Sequence, residues 1–136
     1  MKKIDLITPF QQKSIAAIDG AYFRERTASG ECVFEVGVWS HCVLMIFEQC
    51  PDYKALPEES FVYRFCWHWL HHSKYLGNYI EGEVEIDRLP EFYNYLQNIR
   101  HSPEIQRMAA EEMDVILEIC KLAMANGNRL FLIADY

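Results

Sequence analysis

The sequence predicts a mainly α fold, a compact helical domain with a small β element, on three observations. Four of the five prolines, Pro9, Pro57, Pro90 and Pro103, stand where helices would begin, because a first-turn residue needs no amide hydrogen. Connections between the helical candidates are short, as in an up-and-down bundle. The stretch Leu56 to Asn78, LPEESFVYRFCWHWLHHSKYLGN, is rich in Phe, Tyr and Trp and carries helix punctuation at both ends. Pro57, Glu58 and Glu59 suit the positive end of a helix dipole, His71, His72 and Lys74 suit the negative end, and Gly77 is a natural stop.

Each element follows from local pattern. Thr8 as cap and Pro9 in the first turn open a first helix, with Ile15, Ile18 and Tyr22 at helical spacing and an end near Thr27. A hairpin competes here, with Tyr22 to Arg26 and Cys32 to Val38 as strands across Ala28-Ser29-Gly30. Glu31 to Cys50 is read as a helix closed by Pro51, although Val33, Val36, Gly37 and Val38 favour a strand in its first half. The Leu56 to Asn78 stretch also has a rival reading, since Phe61, Tyr63, Phe65, Trp67 and Trp69 alternate with period two. The helix is preferred, apolar on nearly all sides and enclosed by others.

Tyr79 to Asp87 alternates cleanly, with Ile80, Val84 and Ile86 on one side and Glu81, Glu83, Glu85 and Asp87 on the other. It reads as a half-buried strand whose partner is the closing strand 129–134. A short helix runs from Leu89 to about Arg100. Ser102-Pro103-Glu104 then starts the most secure helix, which continues to about Asn126 and stops at Gly127. The alternative fold class is α+β, with an antiparallel sheet from residues 21–48 and 61–72 covered by the C-terminal helices.

The 136 residues are read as a single domain, 1–136, large enough to bury roughly two thirds of the unfolded surface. Order is expected throughout apart from the first few residues. The longest apolar run, Cys42 to Phe47, is far too short to span a bilayer, and no signal-peptide core follows Met1-Lys2-Lys3. Five cysteines, odd in number and set in apolar sequence, suit buried thiols of a reducing compartment. A cytoplasmic location is the expectation.

The net charge of -7 is unevenly placed, at -1 for residues 1–78 and -6 for residues 79–136. That balance disfavours nucleic acid and anionic membrane and favours a basic protein partner. Glu81, Glu83, Glu85 and Asp87 on a strand, joined by Glu111, Asp114 and Glu118 on one helix side, form the candidate partner-binding ridge. The plainer reading of the same residues is a solvated surface.

No glycine-rich phosphate loop, nucleophile elbow or dinucleotide fingerprint is present. His68 and His72 would lie one turn apart on a helix and could share a metal ion, whereas on a strand they would stand about 13 Å apart. Without an acid between them or paired cysteines elsewhere, they read instead as helix-end and core-edge histidines. No cofactor and no catalytic residue is expected.

The leading expectation is a non-enzymatic acidic binding protein that inhibits a basic partner. In small size, acidity and lack of catalytic motifs the chain resembles bacterial toxin-immunity proteins, and no motif carries that likeness or assigns a residue role. Its concrete form is an immunity protein that occludes the active site of a toxin domain, a nuclease for instance. The alternatives are a metal-binding enzyme or sensor using His68 and His72, and a structural subunit of a homo-oligomer.

Overall fold

A computed structural model describes residues 1–11, 20–50, 52–68 and 83–134, the side chains of 10, 11, 65–68 and 134 excepted. It is an α+β structure, which corrects the mainly α expectation and agrees in class with the alternative. The elements run β1 (Lys2–Asp5), α1 (Ile7–Gln11), β2 (Gly20–Arg26), β3 (Cys32–Trp39), α2 (Ser40–Glu48) and a 3-10 turn (Tyr53–Ala55). They continue with α3 (Phe61–His68), β4 (Val84–Glu85), α4 (Leu89–Ile99), α5 (Pro103–Met108), α6 (Ala110–Ala125) and β5 (Arg129–Ala134). The strands form one mixed sheet in the order β1-β3-β2-β5-β4.

The expected first helix is helical at its start, as α1, and residues 12–19 of it lie outside the described residues; its end, from Gly20, and the first half of the second helix are replaced by the competing hairpin. β2 pairs antiparallel with β3, Phe23 opposite Val36 and Tyr22 opposite Gly37, across a turn with Gly30 at φ +90°. β1 adds in parallel to β3 where loose residues were expected. Ile15 and Ile18 lie outside the described residues, and Tyr22 sits in β2, which hides its own alternation. Ala21 and Phe23 point inward, and so does Glu25, which is 1% exposed. An inward glutamate breaks the two-residue pattern unless its hydrogen-bond partners are known. Those partners, the side-chain amides of Asn126 and Asn128, donate to its Oε2 at 3.0 and 2.7 Å from a hundred residues away.

Gly37 in β3 is a local weak strand former with a packing reason. A Cβ there would stand 3.2 Å from the Tyr22 ring and from Ile7 Cδ1, so the glycine lets the ring of its cross-strand partner lie on the backbone.

Later elements follow the reading more closely. Phe61–His68 is helical, capped by the buried Ser60, whose Oγ accepts from Tyr63 N–H at 3.0 Å, so the helix starts after Pro57-Glu58-Glu59 rather than at them. Residues 61–68 accordingly take no place in the sheet. β4 is two residues long and pairs with β5 as expected, Val84 opposite Leu132 and Glu85 opposite Phe131. β5 is also paired on its other side with β2, so it is an inner strand. The long C-terminal helix breaks at Ala109 into α5 and α6, with the Ser102 hydroxyl accepting from Ile105 N–H at the start.

α6 lies across the inner sheet face and packs against β2, β3 and β5, burying Met113, Ile116, Ile119, Cys120 and Ala123 against Phe23, Val36, Leu130 and Leu132. A second focus of the core is aromatic. The Phe47 ring stands 6.3 Å from Phe61, 6.2 Å from Phe92 and 6.5 Å from Tyr95, which ties α2, α3 and α4 together. Such buried rings carry a large share of the apolar burial that holds a domain of this size.

Candidate interaction surface

Cross-strand register sets the outer sheet face. Lys3, Glu35, Arg24, Phe131 and Glu85 occupy one row across all five strands, each opposite the next. Opposite charges across this face then pair, between adjacent strands and also over β5. Lys3 lies 3.5 Å from Glu35, and Arg24 bridges Glu35 at 2.7 Å and Glu83 at 2.8 Å. Arg26 donates to both oxygens of Glu83, at 3.0 and 2.7 Å, a forked geometry that strengthens the pair. Its guanidinium first, and Arg24 beside it, hold the Glu83 carboxyl below the ordinary 4.5 against the opposing effect of burial.

The candidate ridge residues therefore have different fates. Glu83 and Glu85 belong to the outer sheet face, Glu85 bonded to Arg129. Asp87 pairs with Arg64 of α3. Glu118 and Asp114, on α6 over the inner face, pair with Lys2 at 2.9 Å and Arg100 at 3.6 Å. Glu111 is exposed and has no Lys or Arg pair among the described residues. The sheet thus separates Glu83 and Glu85 from the α6 acids, and five of the seven acids are matched by cations of this same chain. Glu81 lies outside the described residues. So does His72, and the His68 side chain is not described either.

Among the described residues, four of the carboxylates that no Lys or Arg of the chain bridges lie on packed helices, while Glu31, Asp52, Glu58 and Glu59 stand unbridged elsewhere. Glu48 ends α2, Glu104 begins α5, and Glu111 and Glu112 begin α6, with α2 packed on α5 and α5 on α6. Glu104 takes a neutral hydrogen bond from Gln49 Nε2 at 3.2 Å. Burial, together with the neighbouring Glu111 charge, pushes the Glu112 carboxyl up, so its negative charge is poorly compensated. Arg107 stands exposed on α5 among these acids, and Met108 beside it is 46% exposed. Sequence reasoning missed Glu48, Glu104 and Glu112. The usable signal was the complementary one, since Arg24 and Arg26 on the central strand, between Glu35 and Glu83, mark which carboxylates are already paired.

Other chemistry is sparse among the described residues. Burial pushes the Cys120 thiol up to about 12, and burial with the Glu112 charge raises Cys42 as well, which suppresses the thiolates. A cleft of about 90 Å³ over Gly37, beside Lys3, Asp5, Thr8 and Tyr22, is far below the roughly 300 Å³ at which ligand pockets begin. No three His, Cys, Asp or Glu side chains converge as a metal site, and no helix is long and apolar enough to cross a membrane, among these same residues. No protein-family model matches the chain, and no curated protein or solved structure is significantly similar to it.

Proposed function

We propose that the protein is a non-enzymatic acidic binding protein that inhibits a basic protein partner in the cytoplasm, docking through the α2, α5 and α6 side. In its most concrete form it is an immunity protein that covers the active site of a cognate antibacterial toxin. A nuclease suits this form, because a cleft that holds nucleic acid must itself be cationic. The observation that carries the reading is the sorting of carboxylates. Those on the outer sheet face are consumed by Arg24, Arg26 and Arg129, while Glu48, Glu104, Glu111 and Glu112 on the helical side have no Lys or Arg bridge among the described residues. Exposed Met108 adds an apolar contact of the kind enriched at interface centres.

The experiment first asks whether the adjacent upstream gene encodes a large secreted protein with a basic C-terminal domain, and pairs the purified chain with that domain. Association is measured by calorimetry at low and moderate salt. Support is tight binding that weakens with salt, is reduced about tenfold or more by Glu104→Lys with Glu111→Lys, and is little changed by Glu85→Gln. Affinity indifferent to ionic strength and to both helical substitutions would sink the proposal.

A further inference from the structure

Asn126 and Gly127 form the sole Asn-Gly pair in the sequence. In an unrestrained chain this pair undergoes self-deamidation readily, because glycine has no side chain to hinder its own nitrogen. The Gly127 nitrogen loses its proton and attacks Cγ of Asn126, the Cγ–Nδ2 bond breaks, and the Nδ2 group takes up a proton and departs as ammonia, with a five-membered succinimide left behind. Water then opens the ring at either carbonyl and yields an aspartyl or isoaspartyl residue at 126.

The fold engages both reacting groups. α6 ends in a paired turn in which Gly127 N–H donates to Met124 C=O at 3.2 Å and Asn128 N–H donates to Ala123 C=O at 2.9 Å, with Gly127 at φ +67°. The Asn126 Nδ2, the atom that must leave, donates to Glu25 Oε2 at 3.0 Å. Asn126 itself holds a helical ψ of -5°, and ring closure requires ψ to rotate well away from it.

We infer that Asn126 is a self-modification site gated by opening of the α6 to β5 turn, and that Glu25 makes the modification irreversible for the fold. While the turn is closed the reaction is held back. Once it opens and the succinimide hydrolyses, residue 126 carries a carboxylate in place of a donor. That carboxylate faces Glu25, which is 1% exposed and whose side-chain donors among the described residues are both neutral amides. Asn126 is itself exposed, but Glu25 then loses one of its two amide donors and gains an acid beside it, so the turn closes poorly. Each chain thereby keeps a covalent mark of the first opening that lasted long enough to react.

Peptide mapping by mass spectrometry, with released ammonia as a second readout, follows residue 126 of the full chain at neutral pH. A synthetic peptide of residues 120–134 serves as the unrestrained reference. The folded chain is expected to react at least about tenfold more slowly than the peptide, as a gate of local opening requires. Asn126→Asp is expected to lower the folding equilibrium constant about tenfold or more, with most of the loss restored in the double variant that adds Glu25→Gln. Equal rates in chain and peptide overturn the gate. Asn126→Asp as stable as the parent, or a loss that Glu25→Gln leaves untouched, overturns the role of Glu25.

Discussion

Arg24 Nη1 lies 2.8 Å from Glu83 Oε1, joining the central strand β2 to the residue just before β4, 59 positions further along the chain. With Arg26 on the other oxygen, this contact fastens the short edge of the sheet. Because Glu83 is held below its ordinary pKa of 4.5 by Arg26 and Arg24, its stabilisation is complete above about pH 4.5 and decays as pH falls through the lowered value. The Tm of Glu83→Gln is therefore expected to lie below that of the parent by a constant gap between pH 5 and 8. The gap should narrow on acidification below 4.5. A gap that widened in acid would contradict the pairing.

Glu112 has the opposite sign. Its carboxyl is raised by burial and by Glu111, so it favours the fold while protonated and progressively less as pH rises through its folded value. Glu112→Gln should unfold at higher denaturant than the parent at pH 8 and at about the same denaturant at pH 4. Urea titrations at the two values check this.

Phe47 is 1% exposed and touches three other rings, from α3 and α4. Phe47→Ala is expected to cost about 3–5 kcal/mol in urea unfolding, and Phe47→Leu roughly 1–2 kcal/mol, since leucine refills much of the space. Equal costs would mean that the ring cluster packs no better than generic apolar volume.

Alkylation separates the thiols. Cys42 and Cys120 are fully buried, and burial raises both, whereas Cys32 and Cys50 are half-buried. Peptide mapping after iodoacetamide at pH 8 should find Cys42 and Cys120 unmodified until the chain unfolds, while Cys32 reacts in the native state. Early modification of Cys120 would contradict the packing of α6 on the sheet.

How far the fold could be read tracks where each residue finds its partners. The helix starts at Ser102 and Leu89, and the pairing of β4 with β5, rest on neighbours in sequence or on clean alternation, and they were legible. β2 was not, because Glu25 faces inward and its justification lies at Asn126 and Asn128. β3 was obscured by Gly37, whose presence depends on the Tyr22 ring opposite. The acidic residues were legible as acids but not as a surface. Whether a carboxylate is free depends on cations such as Arg24 and Arg26 that only the sheet brings beside it.

β5 lies between β2 and β4, yet it is made after both. As the chain leaves the ribosome, the hairpin of residues 20–39 is available early with one lateral row of backbone donors and acceptors bare, and β4 emerges with nothing to pair with. The sheet can therefore be completed only after residue 134 has cleared the exit tunnel, and until then that margin is open to strands from other nascent chains.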